Sequence, residues 1–134
     1  MSSGLPRNVS ATLEHHLDSL EKLEIARMLK RGGVVTREAL STELRLDERR
    51  VDTALEELAR GGWVAESDAV VGVALSQQAR DSAGIQATLE AYEDDRIAVI
   101  NELSALAMGR IRSMAAKTFA DAFLLKKKRR GDDD

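Results

Sequence analysis

The chain has 134 residues, no cysteine and only four aromatic residues, so a single domain would need a mainly aliphatic core. The lack of cysteine excludes a disulfide framework, a thiol nucleophile and any thiolate metal site. The formal net charge of −3 gives no overall attraction to nucleic acid. The longest stretch without a charged residue, 69–79, is shorter than the roughly 20 residues of a membrane span, which favours a soluble cytoplasmic protein without a membrane partner.

The N-terminal part of the sequence predicts a loose arm and then two helices. Gly4 and Pro6 interrupt regular structure, so we expect residues 1–9 to form a disordered arm. Ser10 can cap the first helix. The second helix is expected to begin near Asp18 and to end at the glycine pair 32–33, after two basic residues.

The next two helices have clear start signals. Thr36 can cap a helix over 37–44, and Asp47 can cap the helix that follows. This later helix is the third of the three helices between residues 18 and 62, and we refer to it as the third helix. Its apolar residues share one stripe, which predicts a buried face: Val51, Ala54, Leu55 and Leu58.

A short β-hairpin is predicted after the third helix. The glycine pair 61–62 ends the helix, and the apolar period then changes from 3.6 to about two. Strands are therefore expected over 63–66 and 70–75, with a turn between them. Residues 34–35 are also predicted to have an extended backbone.

The C-terminal part is predicted to be helical from about Asp81 to Lys128, because apolar residues recur there at spacings of three and four. One helix of this length would extend for about 70 Å. We therefore predict two helices joined near Gly109. Residues 129–134 are expected to be a frayed, charged tail.

Three helices followed by a hairpin resemble the winged-helix superfamily (winged helix-turn-helix). The resemblance covers about residues 18–76 and includes the helix at 36–44. It depends mainly on five positions of the third helix and the strand after it: Val51, Leu55, Leu58, Gly62 and Val64. The expected fold is mainly α with one small β-hairpin. It would consist of a winged-helix domain with an extra N-terminal helix over 10–76 and a long C-terminal helical dimerisation arm over 77–128.

The helices that flank this region are arranged as in dimeric MarR-like or PadR-like repressors, in which extra helices build the dimer. The tail is similar to a group of small uncharacterised bacterial proteins over three segments: 96–101, 111–113 and 119–123. This second resemblance implies no activity. The first implies a homodimeric, DNA-binding transcription regulator whose third helix enters the major groove of double-stranded DNA.

The resemblance assigns DNA contacts to basic and hydroxyl side chains. Arg49 and Arg50 could reach base edges or phosphates, and Thr53 could contact a thymine methyl group. Arg37 and Arg45 could hold phosphates, and the basic C-terminal segment of the sequence could add phosphate contacts from Arg110 and Arg112.

The charge pattern argues against this assignment. Residues 47–60 carry five acidic and three basic side chains, and residues 63–75 carry two acidic side chains and no basic one. Because DNA affinity depends largely on phosphate neutralisation, few contacts would be available. The alternative is a winged helix that binds another protein through its third helix, without DNA binding.

The apolar residues of the C-terminal helices must pack against something, either a second copy of the chain or the winged helix itself. The candidates for dimerisation are Leu89, Tyr92, Ile100, Leu103, Ala107, Ile111 and Met114.

We expect no enzymatic activity, metal site or cofactor. His15 and His16 are adjacent, so on a helix they point about 100° apart and cannot ligate one metal as an i, i+4 pair could. No phosphate-binding glycine motif is present. A small-molecule effector remains open, since Met28, Met108 and Met114 could line a pocket or belong to the core.

Overall fold

The computed structural model describes the backbone of residues 4–132 and the side chains of residues 4–124. The chain is mainly helical and, in this described part, forms one two-stranded antiparallel hairpin, as the sequence predicts. No helix within these bounds is long and apolar enough to cross a membrane. The elements in chain order are α1 Arg7–His15, α2 Leu20–Gly32, α3 Arg37–Leu44, α4 Glu48–Arg60, β1 Val64–Glu66, β2 Val73–Leu75, α5 Gln77–Asp81, α6 Ala83–Asp94 and α7 Arg96–Asp132.

The chain divides between Leu103 and Ser104 into two units, which we call the N-terminal unit and the C-terminal unit. The predicted boundary between residues 76 and 77 differs from this division. Leu89 and Val99, which lie beyond residue 76, are at most 1% exposed and belong to the core of the N-terminal unit. The hydrophobic effect therefore joins α5, α6 and the start of α7 to this unit.

Side chains that accept hydrogen bonds from the first turn determine where helices begin. The Thr36 hydroxyl accepts from the Ala39 amide at 3.1 Å, and the Asp47 carboxylate accepts from the Arg50 amide at 2.8 Å. Both predicted caps are confirmed. At α2 the cap is Ser19, so this helix begins two residues after the expected Asp18.

The N-terminal residues differ from the prediction. The helix expected after Ser10 begins at Arg7, directly after Pro6. Val9, which the sequence predicts in the disordered arm, is only 1% exposed because α1 packs against α6. Since α6 lies far along the chain, no local signal near Val9 could reveal this contact. Residues 1–3 of the expected arm lie outside the described residues.

The hairpin pairs β1 with β2 in the register Val64 with Leu75 and Glu66 with Val73. The predicted extended pair 34–35 joins this sheet, because Val35 and Val73 exchange backbone hydrogen bonds of 2.9 and 2.8 Å. Gly72 is required beside this bridge. It has φ +145°, and a Cβ atom would lie 2.7 Å from Val34 Cγ1.

The core of the N-terminal unit is aliphatic, as the composition predicts. The apolar stripe predicted for the third helix, which is α4, is buried at all four positions. Leucine, isoleucine and valine side chains from α1, α2, α3, α6 and α7 complete the core: Leu13, Leu23, Ile25, Leu29, Leu40, Ile85, Leu89 and Val99.

The C-terminal helices break at different places from the one predicted. The breaks lie at Ser82, whose hydroxyl caps α6, and at Asp95, whose carboxylate accepts from the Ala98 amide at 3.1 Å. Helix α7 continues through Gly109, so the predicted joint there is wrong, and its backbone is helical to Asp132. A glycine inside a helix costs only about 1 kcal/mol relative to alanine. This cost is too small to interrupt the backbone hydrogen bonds of α7. Residues 133–134 lie outside the described part.

Candidate interaction face

The exposed side of α4 and the adjacent hairpin form the surface that the sequence analysis singled out. Burial of the apolar stripe turns the intervening side chains outward, and all of these are exposed: Glu48, Arg49, Asp52, Thr53 and Glu56. Arg37 at the start of α3 and Glu66 at the end of β1 lie beside them. We call this surface, with the loop between β1 and β2, the α4–hairpin face.

Arg37 does not present a free guanidinium group on this face. Its Nη1 donates to Asp52 Oδ1 at 3.0 Å, and its Nη2 donates to Glu66 Oε1 at 2.5 Å. The hydrogen bond that Arg37 donates to Glu66 is the largest influence on the pKa of Arg37, which is raised above its ordinary value. One arginine thereby connects α3, α4 and β1 at the protein surface, and two carboxylates balance its charge.

Other cations near α4 are also paired with carboxylates. Arg50 donates to Glu21 of α2. Lys22, which is only 9% exposed, lies 2.7 Å from Asp18 and 2.9 Å from Glu57. Burial by itself lowers the pKa of Lys22, but the hydrogen bonds to both carboxylates outweigh burial, so the pKa is raised. These pairs attach α2 to α4.

The remaining predicted DNA contacts are spread over both units. Arg45 has a left-handed backbone with φ 54° where α3 ends. Arg45 and Arg49 are exposed and have no carboxylate partner among the described residues. Thr53 is exposed on α4, whereas Arg110 and Arg112 are exposed on the C-terminal unit. Of the seven predicted residues, only Arg37 lies in a cluster with residues of both α4 and β1.

The loop of the hairpin has an apolar tip that the sequence analysis did not identify as functional. Val70 is 58% exposed and Val71 is 89% exposed. The loop is held by hydrogen bonds from the Ala69 and Val70 amides to the Ser67 hydroxyl, both 3.3 Å long. The sequence predicts both valines in the second strand, but β2 begins only at Val73, so the predicted strand start is wrong and no sequence signal marked this tip.

The predicted dimerisation residues fall into three groups. Leu89 and Tyr92 are 1% and 2% exposed in the core of the N-terminal unit, so they are not free to contact a partner and this part of the prediction is wrong. Ile100 and Leu103 are half-buried. Ala107, Ile111 and Met114 lie exposed on α7 in the C-terminal unit.

Tyr92 belongs to a polar cluster at the junction of α6 and α7. Its hydroxyl donates to Glu24 of α2, and Arg96 also donates to Glu24 at 2.5 Å. The Arg96 guanidinium lies 5.1 Å from the centre of the Tyr92 ring. Burial, followed by the hydrogen bond to Glu24, raises the pKa of Tyr92 to about 12.

The two histidines contact an aromatic ring and a carboxylate. His16 packs its ring edge-on to Trp63 with 4.9 Å between the ring centres, and His15 lies 3.8 Å from Glu14. No group of three or more potential ligands occurs among the side chains that the structure describes.

Comparison of the chain with models of protein families, with curated proteins and with solved structures finds no match.

Proposed function

We propose that α2, α3, α4 and the hairpin form a winged helix that serves as a protein–protein interaction module. The order of these elements supports a winged helix, and so does the bridge between Val35 and Val73, which adds an extended segment to the hairpin. The α4–hairpin face would contact the partner protein.

The pairing of Arg37 with Asp52 and Glu66 is the observation that carries this proposal. Binding of DNA requires cations that can neutralise phosphates. On this face the cation nearest the hairpin is already neutralised, and the hairpin itself carries Glu66 and Asp68 without a base. An acidic helix beside an apolar loop tip suits a protein surface better than a phosphate backbone.

The wild-type protein is expected to form no complex with double-stranded DNA at about 10 µM protein in low salt, conditions in which non-specific binders are detected. Removing both carboxylates around Arg37, as Asp52→Asn with Glu66→Gln, frees one cation and deletes two negative charges. This variant is expected to gain weak, salt-sensitive binding. Fluorescence anisotropy with labelled genomic DNA fragments measures the DNA binding of the wild-type protein and of the variant.

The matched control is Glu14→Gln with Glu90→Gln, which makes the same change in charge at two exposed positions on α1 and α6. We expect this control to bind no better than the wild type. Salt-sensitive binding by the wild-type protein would contradict the proposal.

The second candidate function is a DNA-binding transcription regulator. Arg45 and Arg49 favour it, since neither has a carboxylate partner among the described residues. Both lie close in sequence to the start of α4, the end that enters the major groove in helix-turn-helix proteins. If this function is correct, binding of the wild-type protein to double-stranded DNA should be detected. The double variant Arg49→Ala with Arg50→Ala should weaken that binding.

We further propose that the protein is a homodimer held by α7. In the C-terminal unit, Ile111 is 60% exposed and Met114 is 69% exposed, and Phe119 and Phe123 are also largely exposed. Apolar side chains at this density along one helix favour burial against a second copy.

Sedimentation should give about twice the chain mass of 14.7 kDa. Ile111→Asp is expected to produce a monomer, because an aspartate would be desolvated in the interface. Ser113→Asp is the matched control: it lies about 200° away around the helix and should leave the dimer intact. A monomeric wild type, or equal effects of the two variants, would contradict the proposal.

A further inference from the structure

The small sheet of the N-terminal unit has one closed side and one open side. Strand β2 lies between β1 and the extended residue Val35, so the order across the sheet is Val35, β2, β1. In the part of the chain that the structure describes, β1 pairs with β2 only, and its outer edge faces no strand. An open strand edge presents main-chain donors and acceptors that a further strand can bind.

The hydrogen bonds of the hairpin fix which residues of β1 bond to β2. The Ser67 amide donates to the Gly72 carbonyl, and the Ser76 amide donates to the Trp63 carbonyl, both at 2.9 Å. In an antiparallel pair, residues that share hydrogen bonds with the opposite strand alternate with residues that do not. The odd-numbered positions from 63 to 67 therefore bond to β2.

The even-numbered residues Val64 and Glu66 direct their backbone N–H and C=O groups to the open edge. The opposite residue of the second strand supports this register. Val73 lies across from Glu66 and exchanges its backbone hydrogen bonds with Val35, on the side away from β1. Two donors and two acceptors of β1 are thus aimed outward.

A groove of about 320 Å³ lies between β1 and α4, and we call it the edge groove. Buried apolar side chains form part of its lining, among them Leu55 of α4 and Val64 of β1. The two alanines that also line it, Ala59 and Ala65, are exposed and small, so a backbone can approach closely there. Neighbouring strands lie about 4.8 Å apart. The edge groove therefore has room for a short extended segment beside β1.

The rim of the edge groove is acidic. Among the described residues that line it, three carry carboxylates, Asp52, Glu56 and Glu66, and Arg37 is the only cation. Arg37 is shared by Asp52 and Glu66, while Glu56 contacts Arg60 at 3.3 Å in a pair whose side chains are 69% and 73% exposed. Such exposed pairs contribute little and are readily replaced. A cation of a bound segment would therefore be favoured at this rim.

A second copy of the hairpin is a poor occupant of the same groove. Residues 63–75 contain Glu66 and Asp68 and no basic residue, so pairing of β1 with β1 would add acid to an acidic rim. Like charges at directly opposed strand positions are destabilising. The chemistry of the rim favours a segment from a different protein that carries basic residues.

We propose that the edge groove binds an extended segment of a partner protein by strand addition to β1, with basic and apolar side chains on one face of that segment. The inference rests on the proposed interaction module and names the form of its partner. Main-chain hydrogen bonds to Val64 and Glu66 hold the segment. Side chains of alternate residues face the groove, where apolar ones pack near Leu55 and basic ones meet the carboxylates of the rim.

The probes are four fluorescein-labelled peptides of seven residues. Each has threonine at every odd position, arginine at the second and sixth, and valine, isoleucine, leucine or phenylalanine at the fourth. The wild-type protein is expected to bind at least one of them, as measured by fluorescence anisotropy. The same peptide with glutamate in place of both arginines should not bind.

Two variants at one position separate the main chain from the charge. Glu66→Pro removes an outward N–H and leaves the hydrogen bonds of the hairpin, as proline at a strand edge does. Glu66→Gln is the matched control, because it loses the same charge and keeps the amide. Loss of one main-chain hydrogen bond should weaken peptide binding by about tenfold in Glu66→Pro compared with Glu66→Gln. Equal affinities of the two variants would overturn pairing through the main chain.

Hydrogen exchange measured by nuclear magnetic resonance gives a second test that needs only the wild-type protein. The peptide should slow exchange of the Val64 and Glu66 amides and leave the Ala65 amide, which already bonds within the hairpin, unchanged. Slow exchange of Val64 and Glu66 without peptide, in a protein whose protection falls on dilution, would show that a second copy occupies the edge and would overturn the proposal.

The assay with double-stranded DNA distinguishes failure of this inference from failure of the proposed function. If no peptide binds and the wild-type protein binds no DNA, strand addition is overturned and the interaction module stands. If no peptide binds and the wild-type protein binds DNA, both are overturned.

Discussion

Replacing Leu89 with alanine is expected to lower the free energy of unfolding by about 2–5 kcal/mol and to leave self-association unchanged. Leu89 is 1% exposed in the core of the N-terminal unit, so truncation leaves a cavity there. Denaturation by urea measures this decrease in the free energy of unfolding. The fluorescence of Trp63, the only tryptophan, is a clean probe of this unit.

Met114→Ala is the matched control, since this side chain is 69% exposed on α7. It should weaken the dimer in sedimentation while the N-terminal unit unfolds at nearly the same urea concentration. The contrast separates a core residue from an interface residue, although both belong to the same predicted set. Dimer dissociation by Leu89→Ala without loss of stability would contradict the burial of this residue.

Tyr92 is expected to ionise at a pH near 12, about two units above an ordinary tyrosine. Burial disfavours the phenolate, and Glu24 accepts a hydrogen bond that only the protonated hydroxyl can donate. Because the pKa is higher in the folded state, the stabilisation is fully present below pH 10 and is lost as pH rises towards 12. Tyr92→Phe should remove this part of the pH dependence of unfolding.

The ionisation can be followed directly by ultraviolet absorbance, because Tyr92 is the only tyrosine. Glu24→Gln removes the adjacent negative charge and should lower the pKa of Tyr92 towards its ordinary value. Glu90→Gln is the control with the same change of charge at an exposed position of α6. An ordinary tyrosine pKa in the wild-type protein would contradict both the burial of Tyr92 and its contact with Glu24.

The candidate face shows how local and long-range information differ. The outward direction of Asp52 on α4 follows from helical periodicity, because Val51, Ala54 and Leu55 occupy the buried side. Its pairing with Arg37, and the further pairing of Arg37 with Glu66, joins elements that are separated along the chain. The availability of Arg37 for a phosphate therefore could not be judged from the sequence.

The sequence by itself determined the features that depend on neighbouring residues. Thr36 and Asp47 begin α3 and α4 because each side chain bonds an amide three residues away, and the change of apolar period places the hairpin. Only the tertiary structure decided that Val9 and Leu89 share one core and that Arg37 is neutralised. Burial and ion pairing depend on which distant segments meet, and a single sequence carries no local signal of those encounters.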